Sequence, residues 1–124
     1  MAHTICHFEI PVDELERAKK FYENIFGWQI VDTGSRGYHL IQIGEGELAG
    51  GMMKRVVPEQ RPVLYIAVES VDEYSKKVQQ AGGTIVVPKM AVPTMGYFAQ
   101  ALDTEGNVFA IWEENSQADR KSVV

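Results

Sequence analysis

The sequence predicts an α+β fold of two tandem βαβββ modules, whose strands form a curved mixed sheet around a cleft. The first observation behind this prediction is an internal repeat: HFEIPV (7–12) aligns with VLYIAV (63–68), and the helical patterns that follow align at the same offset. The second is that three strand-like runs follow each helical pattern. Because a helix covers only one face of each sheet, we expect the other faces to enclose a cleft.

Each module contains one predicted amphipathic helix. Apolar side chains recur at alternating spacings of three and four residues in both halves, at Leu15, Ala18, Tyr22 and Ile25 and again at Val71, Tyr74, Val78 and Ala81. This spacing is typical of a helix with one buried face. Carboxylates near both starts suit the positive end of a helix dipole, and Gly27 and Gly83 follow the two ends.

The predicted strands after each helix are separated by glycine-containing breaks. They are WQIVDTG, YHLIQIG and GGMMKRVV in the first half, and TIVVPKM, GYFAQALD and NVFAIWEE in the second. The turn DTEGN is typical of a hairpin, and PEQRP (58–62) is typical of a connector. We therefore predict one domain over residues 1–116, with repeats at about 1–57 and 62–116 and a frayed tail at 117–124.

Composition favours an ordinary globular protein. Apolar residues make up 45% of the 124 residues, and 17 acidic against 12 basic side chains give a net charge of −5. Nucleic acid is not expected as a partner because no basic cluster is longer than a pair. No apolar run approaches the ~18 residues that span a bilayer, so a membrane is not expected either. The single cysteine and the lack of a signal-peptide pattern predict a cytoplasmic location.

The chain resembles the vicinal oxygen chelate superfamily, which contains glyoxalases, bleomycin-resistance proteins and extradiol dioxygenases. The resemblance lies in HFEIPVDELERAKKFYENIFGW, YIAVESVDEYSKKVQQAGGTIV and GYFAQALDTEGNVFAIWE, in this order along nearly the whole chain to Glu113. It implies the βαβββ fold and a homodimer. It leaves the activity open, because the superfamily includes isomerases, dioxygenases, thiol transferases and drug-binding proteins without catalysis.

In the metal-dependent members that the chain resembles, each half supplies a ligand from its first strand and another from its last. The first position falls on His7, which is a suitable ligand. The other three fall on Val63, on Ala110 and near Lys54, in a stretch without carboxylate, histidine or cysteine. The cofactor is therefore unknown, and a divalent metal, although possible, is disfavoured.

A displaced metal site would need other donors. His7 and Glu9 share one face of the first strand by alternation, His39 could add a third donor, and Glu113 and Glu114 lie near the end of the last strand. The alternative is that His7 and Glu9 are hydrogen-bonded polar residues on the wall of the cleft.

Alternation also predicts the residues that line the cleft. The candidate catalytic residues are His7 and Glu9, and the candidate ligand-binding residues are His7, Glu9, Met53, Tyr65, Tyr97, Ala110 and Trp112. One of Tyr97 and Phe98 must point inward. The chain is thus predicted to bind a small, partly apolar molecule without the family's full metal site. The open alternatives are a metal-dependent lyase, isomerase or dioxygenase with a rebuilt ligand set, or a scaffold domain.

Overall fold

The computed structural model describes residues 3–34, 37–45 and 49–118. Its elements run βαβββ twice along the chain: β1 (Ile5–Val12), α1 (Leu15–Phe26), β2 (Gln29–Asp32), β3 (Tyr38–Gln42) and β4 (Gly50–Lys54), then β5 (Val63–Ala67), α2 (Val71–Gln80), β6 (Thr84–Val92), β7 (Gly96–Leu102) and β8 (Val108–Glu114). The α+β class and the two βαβββ modules are confirmed. Residues 58–62 contain no helix or strand.

The described residues divide into two compact units, one within residues 6–63 and one that combines residues 3–5 with 64–118. In the first, the strand order is β2-β3-β4-β1, with β1 and β4 parallel and the other pairs antiparallel. In the second, the order is β5-β8-β7-β6, with β5 and β8 parallel. Each repeat therefore forms the same mixed four-stranded arrangement.

The core of the first repeat lies between α1 and one face of its strands. Ile41 and Met52 are completely buried there, and Phe8, Ile10, Leu15, Ala18, Tyr22 and Trp28 pack around them. The rings of Tyr22 and Trp28 stack at 5.1 Å with an angle of 4° between their planes. Gly27 ends α1 in the left-handed conformation at φ 74°, which explains the glycine predicted at this position.

The core of the second repeat is built in the same way from Val68, Val71, Ala99 and Ile111. The start of α2 is held by two side chains: Ser70 accepts a hydrogen bond from the Glu73 amide, and the Glu113 carboxylate accepts one from the Val71 amide at 2.9 Å. Ser70 thus acts as the N-cap, and the negative charge of Glu113 lies at the positive end of the helix.

The glycine predicted to end α2 has a different role. Gly82 takes the left-handed conformation, at φ 101°, whereas Gly83 does not. A Cβ on Gly83 would lie 2.6 Å from Val78 Cγ1 and 2.8 Å from the Leu102 carbonyl oxygen. Gly83 therefore allows close packing of the chain after the helix, and Gly82 supplies the turn.

The end of the described chain is attached to the hairpin between β6 and β7. Ala118 is completely buried, its carbonyl accepts from the Thr94 amide, and the Asn115 amide donates to Met95. The rest of the predicted frayed tail, 119–124, lies outside the described residues. With 12 and 10 residues, α1 and α2 are too short to cross a bilayer, and the described residues include no longer helix.

Candidate functional site

A hydrogen-bonded cluster of His7, Glu9 and Tyr38 lies on the face of the first repeat that α1 leaves uncovered, here called the open face. Phe8, Ile10 and Val12 of β1 pack beneath α1, so His7 and Glu9 point the other way. Tyr38 on β3 shares this face because Ile41 on the same strand is in the core. His7 Nε2 lies 2.8 Å from the Tyr38 hydroxyl, which donates to Glu9 Oε2 at 3.2 Å.

Gly51 allows Tyr38 to reach this cluster. It lies on β4, between the strands of the other residues, and pairs with Leu40 on one side and Glu9 on the other. A Cβ on Gly51 would overlap the hydroxyl and the ring of Tyr38. The phenol therefore crosses the middle strand in the space that a side chain at position 51 would occupy.

The protonation of the cluster follows from its geometry. A tyrosine hydroxyl has one proton, and the Glu9 carboxylate can only accept, so the bond between Tyr38 and Glu9 uses that proton. His7 must then donate from Nε2 to the Tyr38 oxygen. Burial lowers the pKa of His7, and the charge of Glu9 opposes this effect only in part. The imidazole is thus neutral at pH 7, with its proton on Nε2.

A cavity of about 540 Å³ lies along β3, at the end of α1. Its wall is formed by Gly27, Gln29, Leu40, Gln42 and Ala49, together with the chain from Ile43 to Glu45, and does not include the three cluster residues. Leu40 connects the two, because it follows Tyr38 on the open face of β3 and pairs with Gly51. The cavity combines apolar side chains with the amides of Gln29 and Gln42.

The second repeat has its own open face, which is mainly aromatic. Tyr65 is buried, its hydroxyl accepts from Gln100 Nε2 at 3.4 Å, and its ring lies 6.2 Å from that of Phe98. The Trp112 ring covers Gly96, where a Cβ would lie 2.6 Å from the indole. Ala110 pairs with Tyr65 and Gln100 and is completely buried, so Tyr65 bridges over a small residue as Tyr38 does.

The predicted site residues are placed as follows. Met53 pairs with Tyr38 on the open face of the first repeat. Of the two aromatic candidates in GYFAQALD, Phe98 is on the open face, whereas Tyr97 packs against the core beneath α2, with Lys89 Nζ 4.3 Å above its ring. Ligand binding by any of these residues stays a prediction, as does the cleft between the repeats.

Two of the other donors considered for a displaced metal site are placed differently. His39 alternates with Tyr38, so it lies on the α1 side of the first repeat with Ile41, and its Nδ1 is buried without a hydrogen-bond partner among the described residues. The Glu113 carboxylate is bound to the start of α2. Within the first repeat, His39 therefore does not share the face of His7.

The residues present do not fit the metal site implied by the resemblance. Val63 and Ala110 are buried apolar residues, and the strand register places the counterpart of Ala110 in the first repeat at Gly51, close to Lys54. Among residues 3–34, 37–45 and 49–118, no group of three or more His, Cys, Asp or Glu could hold a metal ion. His7 Nε2, the one suitable donor, is bound to Tyr38.

Comparison of the sequence with a family profile supports the same fold. The sequence profile of the Glyoxalase/Bleomycin resistance protein/Dioxygenase superfamily matches residues 4–111, so the chain belongs to this superfamily. This confirms the resemblance deduced from the sequence.

Individual relatives share about a quarter of the matched residues with this chain. The chain is 25% identical over 126 residues to the anthracycline biosynthesis protein DnrV of Streptomyces peucetius, which covers 86% of this chain and 46% of that protein. It is 28% identical to a glyoxylase-like domain-containing protein of Didymella fabae, over 86% of this chain and 91% of that one. The chain thus spans less than half of DnrV.

The fold is also that of a known metal-bound enzyme. The Mn(II)-bound glyoxalase from Novosphingobium aromaticivorans superposes with a TM-score of 0.68 and 19% identity, covering 97% of this chain and 41% of that one. At this identity the likeness concerns the fold alone.

Proposed function

We propose that this protein binds a small, partly apolar molecule on the open face of the first repeat and does so without the family's full metal site. The observation that carries the proposal is the cluster of His7, Tyr38 and Glu9 on an open face where Leu40, the next residue of β3 on that face, lines a cavity of about 540 Å³. A volume of this size suits a small ligand, and a few fixed polar groups beside apolar wall atoms suit an oriented one.

The ligand is expected to be uncharged where it meets the cluster. His7 is neutral, because burial lowers its pKa, and the charge of Glu9 is satisfied in part by the Tyr38 proton. The amides of Gln29 and Gln42 line the cavity and can donate and accept there. A planar molecule with carbonyl or hydroxyl groups matches this combination, and the name of DnrV links one relative to such compounds, the anthracyclines.

Elemental analysis tests whether the site works without a metal. The protein and its His7→Ala variant are both expected to contain metal well below one ion per chain after dialysis. A stoichiometric divalent metal that is lost in the variant would overturn the proposal and favour the metal-dependent lyase, isomerase or dioxygenase instead.

Ligand binding is tested by NMR with a set of small aromatic ketones and quinones. Binding compounds are expected to shift the amide signals of Leu40 and Gly51, and the shifts should weaken in Tyr38→Phe, which keeps the ring but loses the hydroxyl. The matched control is Tyr74→Phe, since Tyr74 lies on α2 and packs against the core of the second repeat. Binding that leaves the signals of the first repeat unchanged contradicts the proposal.

A second candidate is a metal-independent lyase or isomerase, which the chain of hydrogen bonds from His7 through Tyr38 to Glu9 favours. Glu9 would accept a proton from a carbon next to a carbonyl group, and the same cluster would return it. Deuterium exchange into such compounds in D₂O, followed by NMR, would be lost in Glu9→Gln. Unchanged exchange in that variant excludes this role for the cluster.

A further inference from the structure

The loop RVVPEQR (55–61), which follows β4, holds an arginine in a fixed position. The Arg55 backbone amide donates to the Val12 carbonyl at 2.7 Å. Its side chain donates from Nε to Asp13 Oδ1 at 3.0 Å and from Nη1 to the Gln60 carbonyl. Gln60 in turn accepts from the Val56 amide, which closes the loop. The Arg55 guanidinium is therefore oriented before any ligand arrives.

This loop surrounds a cavity of about 470 Å³ lined by Asp13, Arg55, Val56, Val57, Pro58 and Arg61. Arg61 folds over its own loop, and its Nη1 donates to the carbonyls of Glu59 and Gln60 at 3.1 and 3.3 Å. Within the described residues, Nη2 of both arginines has no protein partner. Two guanidinium groups against one carboxylate make this lining positive, although the chain as a whole has a charge of −5.

A second cavity, of about 420 Å³, adjoins the first, and both are lined by Asp13 and Arg55. Its wall is mostly apolar and includes Ile10, Ala18 and Phe21. Phe21 is 54% exposed, so about half of its side chain is in contact with solvent. An apolar ligand chain would cover this ring.

We propose that the two adjoining cavities form a binding site for a small amphiphilic anion. Its carboxylate or phosphate group accepts hydrogen bonds from Arg55 and Arg61, because guanidinium groups bind such planar or tetrahedral anions well. Its apolar chain lies along Phe21 and Ala18. None of the residues that line this site lines the cavity along β3 or belongs to the cluster of His7, Glu9 and Tyr38, so it is separate from the proposed open-face site.

Binding of the anionic head group is tested by NMR titration with octanoate and octyl phosphate. Acetate and inorganic phosphate serve as probes without an apolar chain. Octanoate or octyl phosphate is expected to shift the amide signals of Val56 and Val57, and the tighter of the two identifies the head group. Arg61→Gln should weaken binding about tenfold, the effect of one lost charge-assisted hydrogen bond. Lys54→Gln is the control, because it removes the same charge beside the loop without lining the cavity.

Binding of the apolar chain is tested by varying the length of the ligand and by replacing Phe21. Octanoate should bind at least about 100-fold more tightly than acetate, because burying several methylene groups is favourable. Phe21→Ser should weaken the binding of octanoate but leave the binding of inorganic phosphate unchanged. Phe26→Ser is the matched control, since Phe26 is 60% exposed on the same helix and does not line the second cavity.

Three results would overturn the proposal. One is that octanoate and octyl phosphate leave the Val56 and Val57 signals of the unmodified protein unchanged at millimolar concentration. Another is that Arg61→Gln and Lys54→Gln weaken binding equally, which indicates a general charge effect. The third is that Phe21→Ser has no more effect than Phe26→Ser.

Discussion

Replacing Gly51 by alanine tests whether the Tyr38 phenol occupies the space above β4. The added methyl group would overlap the Tyr38 ring and hydroxyl, so the side chain must leave its position. This breaks the hydrogen bonds of Tyr38 to His7 at 2.8 Å and to Glu9 at 3.2 Å. We therefore expect Gly51→Ala to lower the free energy of unfolding.

The magnitude follows from these two bonds. A neutral hydrogen bond contributes about 1 kcal/mol and one to a carboxylate about 1.5–3 kcal/mol, whereas removing a glycine from a strand returns about 0.5–1 kcal/mol. The net loss of stability is expected to be about 2 kcal/mol. Because both bonds are only partly buried, the lower end of the range is the better guide.

A double-mutant cycle with Tyr38→Ala isolates this effect. Urea unfolding followed by tryptophan fluorescence should give a loss of about 2 kcal/mol for Gly51→Ala in the unmodified protein, and no loss or a small gain in the Tyr38→Ala background. An equal loss in both backgrounds would refute the reasoning, because the methyl group would then be excluded by something other than Tyr38.

Three further predictions concern other parts of the chain. Burial lowers the pKa of His7, so the unfolded chain binds more protons, and stability should fall as the pH drops below the unfolded value of about 6.5; urea unfolding at several pH values should show a weaker fall in His7→Gln. Ser70→Ala should lower stability by about 1 kcal/mol by removing the cap on the Glu73 amide, and an unchanged melting temperature would exclude this cap. Glu113→Gln should cost about 0.5–1 kcal/mol, because the charge at the start of α2 is lost; Glu105→Gln, in the exposed turn, is its control in the same thermal melts.

Part of the candidate site could be derived from the sequence. Alternation along β1 places His7 and Glu9 on one face, and the core contacts of Phe8 and Ile10 agree with this placement. Alternation along YHLIQIG also separates Tyr38 from His39, but it does not tell which of the two faces His7. His39 was the candidate donor on this strand, whereas Tyr38 is the residue that bonds to His7.

Tyr38 could be identified only when the partners of β4 were known. The two glycines of GGMMK have no side chains, so they give no indication of a site in the sequence. The meaning of Gly51 comes from its neighbours, since it pairs with Glu9 of β1 and Leu40 of β3. The role of Glu113 could not be predicted either. The amide that it binds belongs to Val71, which lies far away along the chain.

The amino-acid order was enough to predict the two βαβββ repeats, their helices and strands, and the lack of metal donors at Val63 and Ala110. These features depend on residue identity and on periodicity within short segments, which the amino-acid order contains directly. Only the folded chain shows that Tyr38 crosses Gly51 to join His7 and Glu9. That contact depends on the register between three strands from different parts of the chain, and a shift of one residue would move the Tyr38 side chain to the other face.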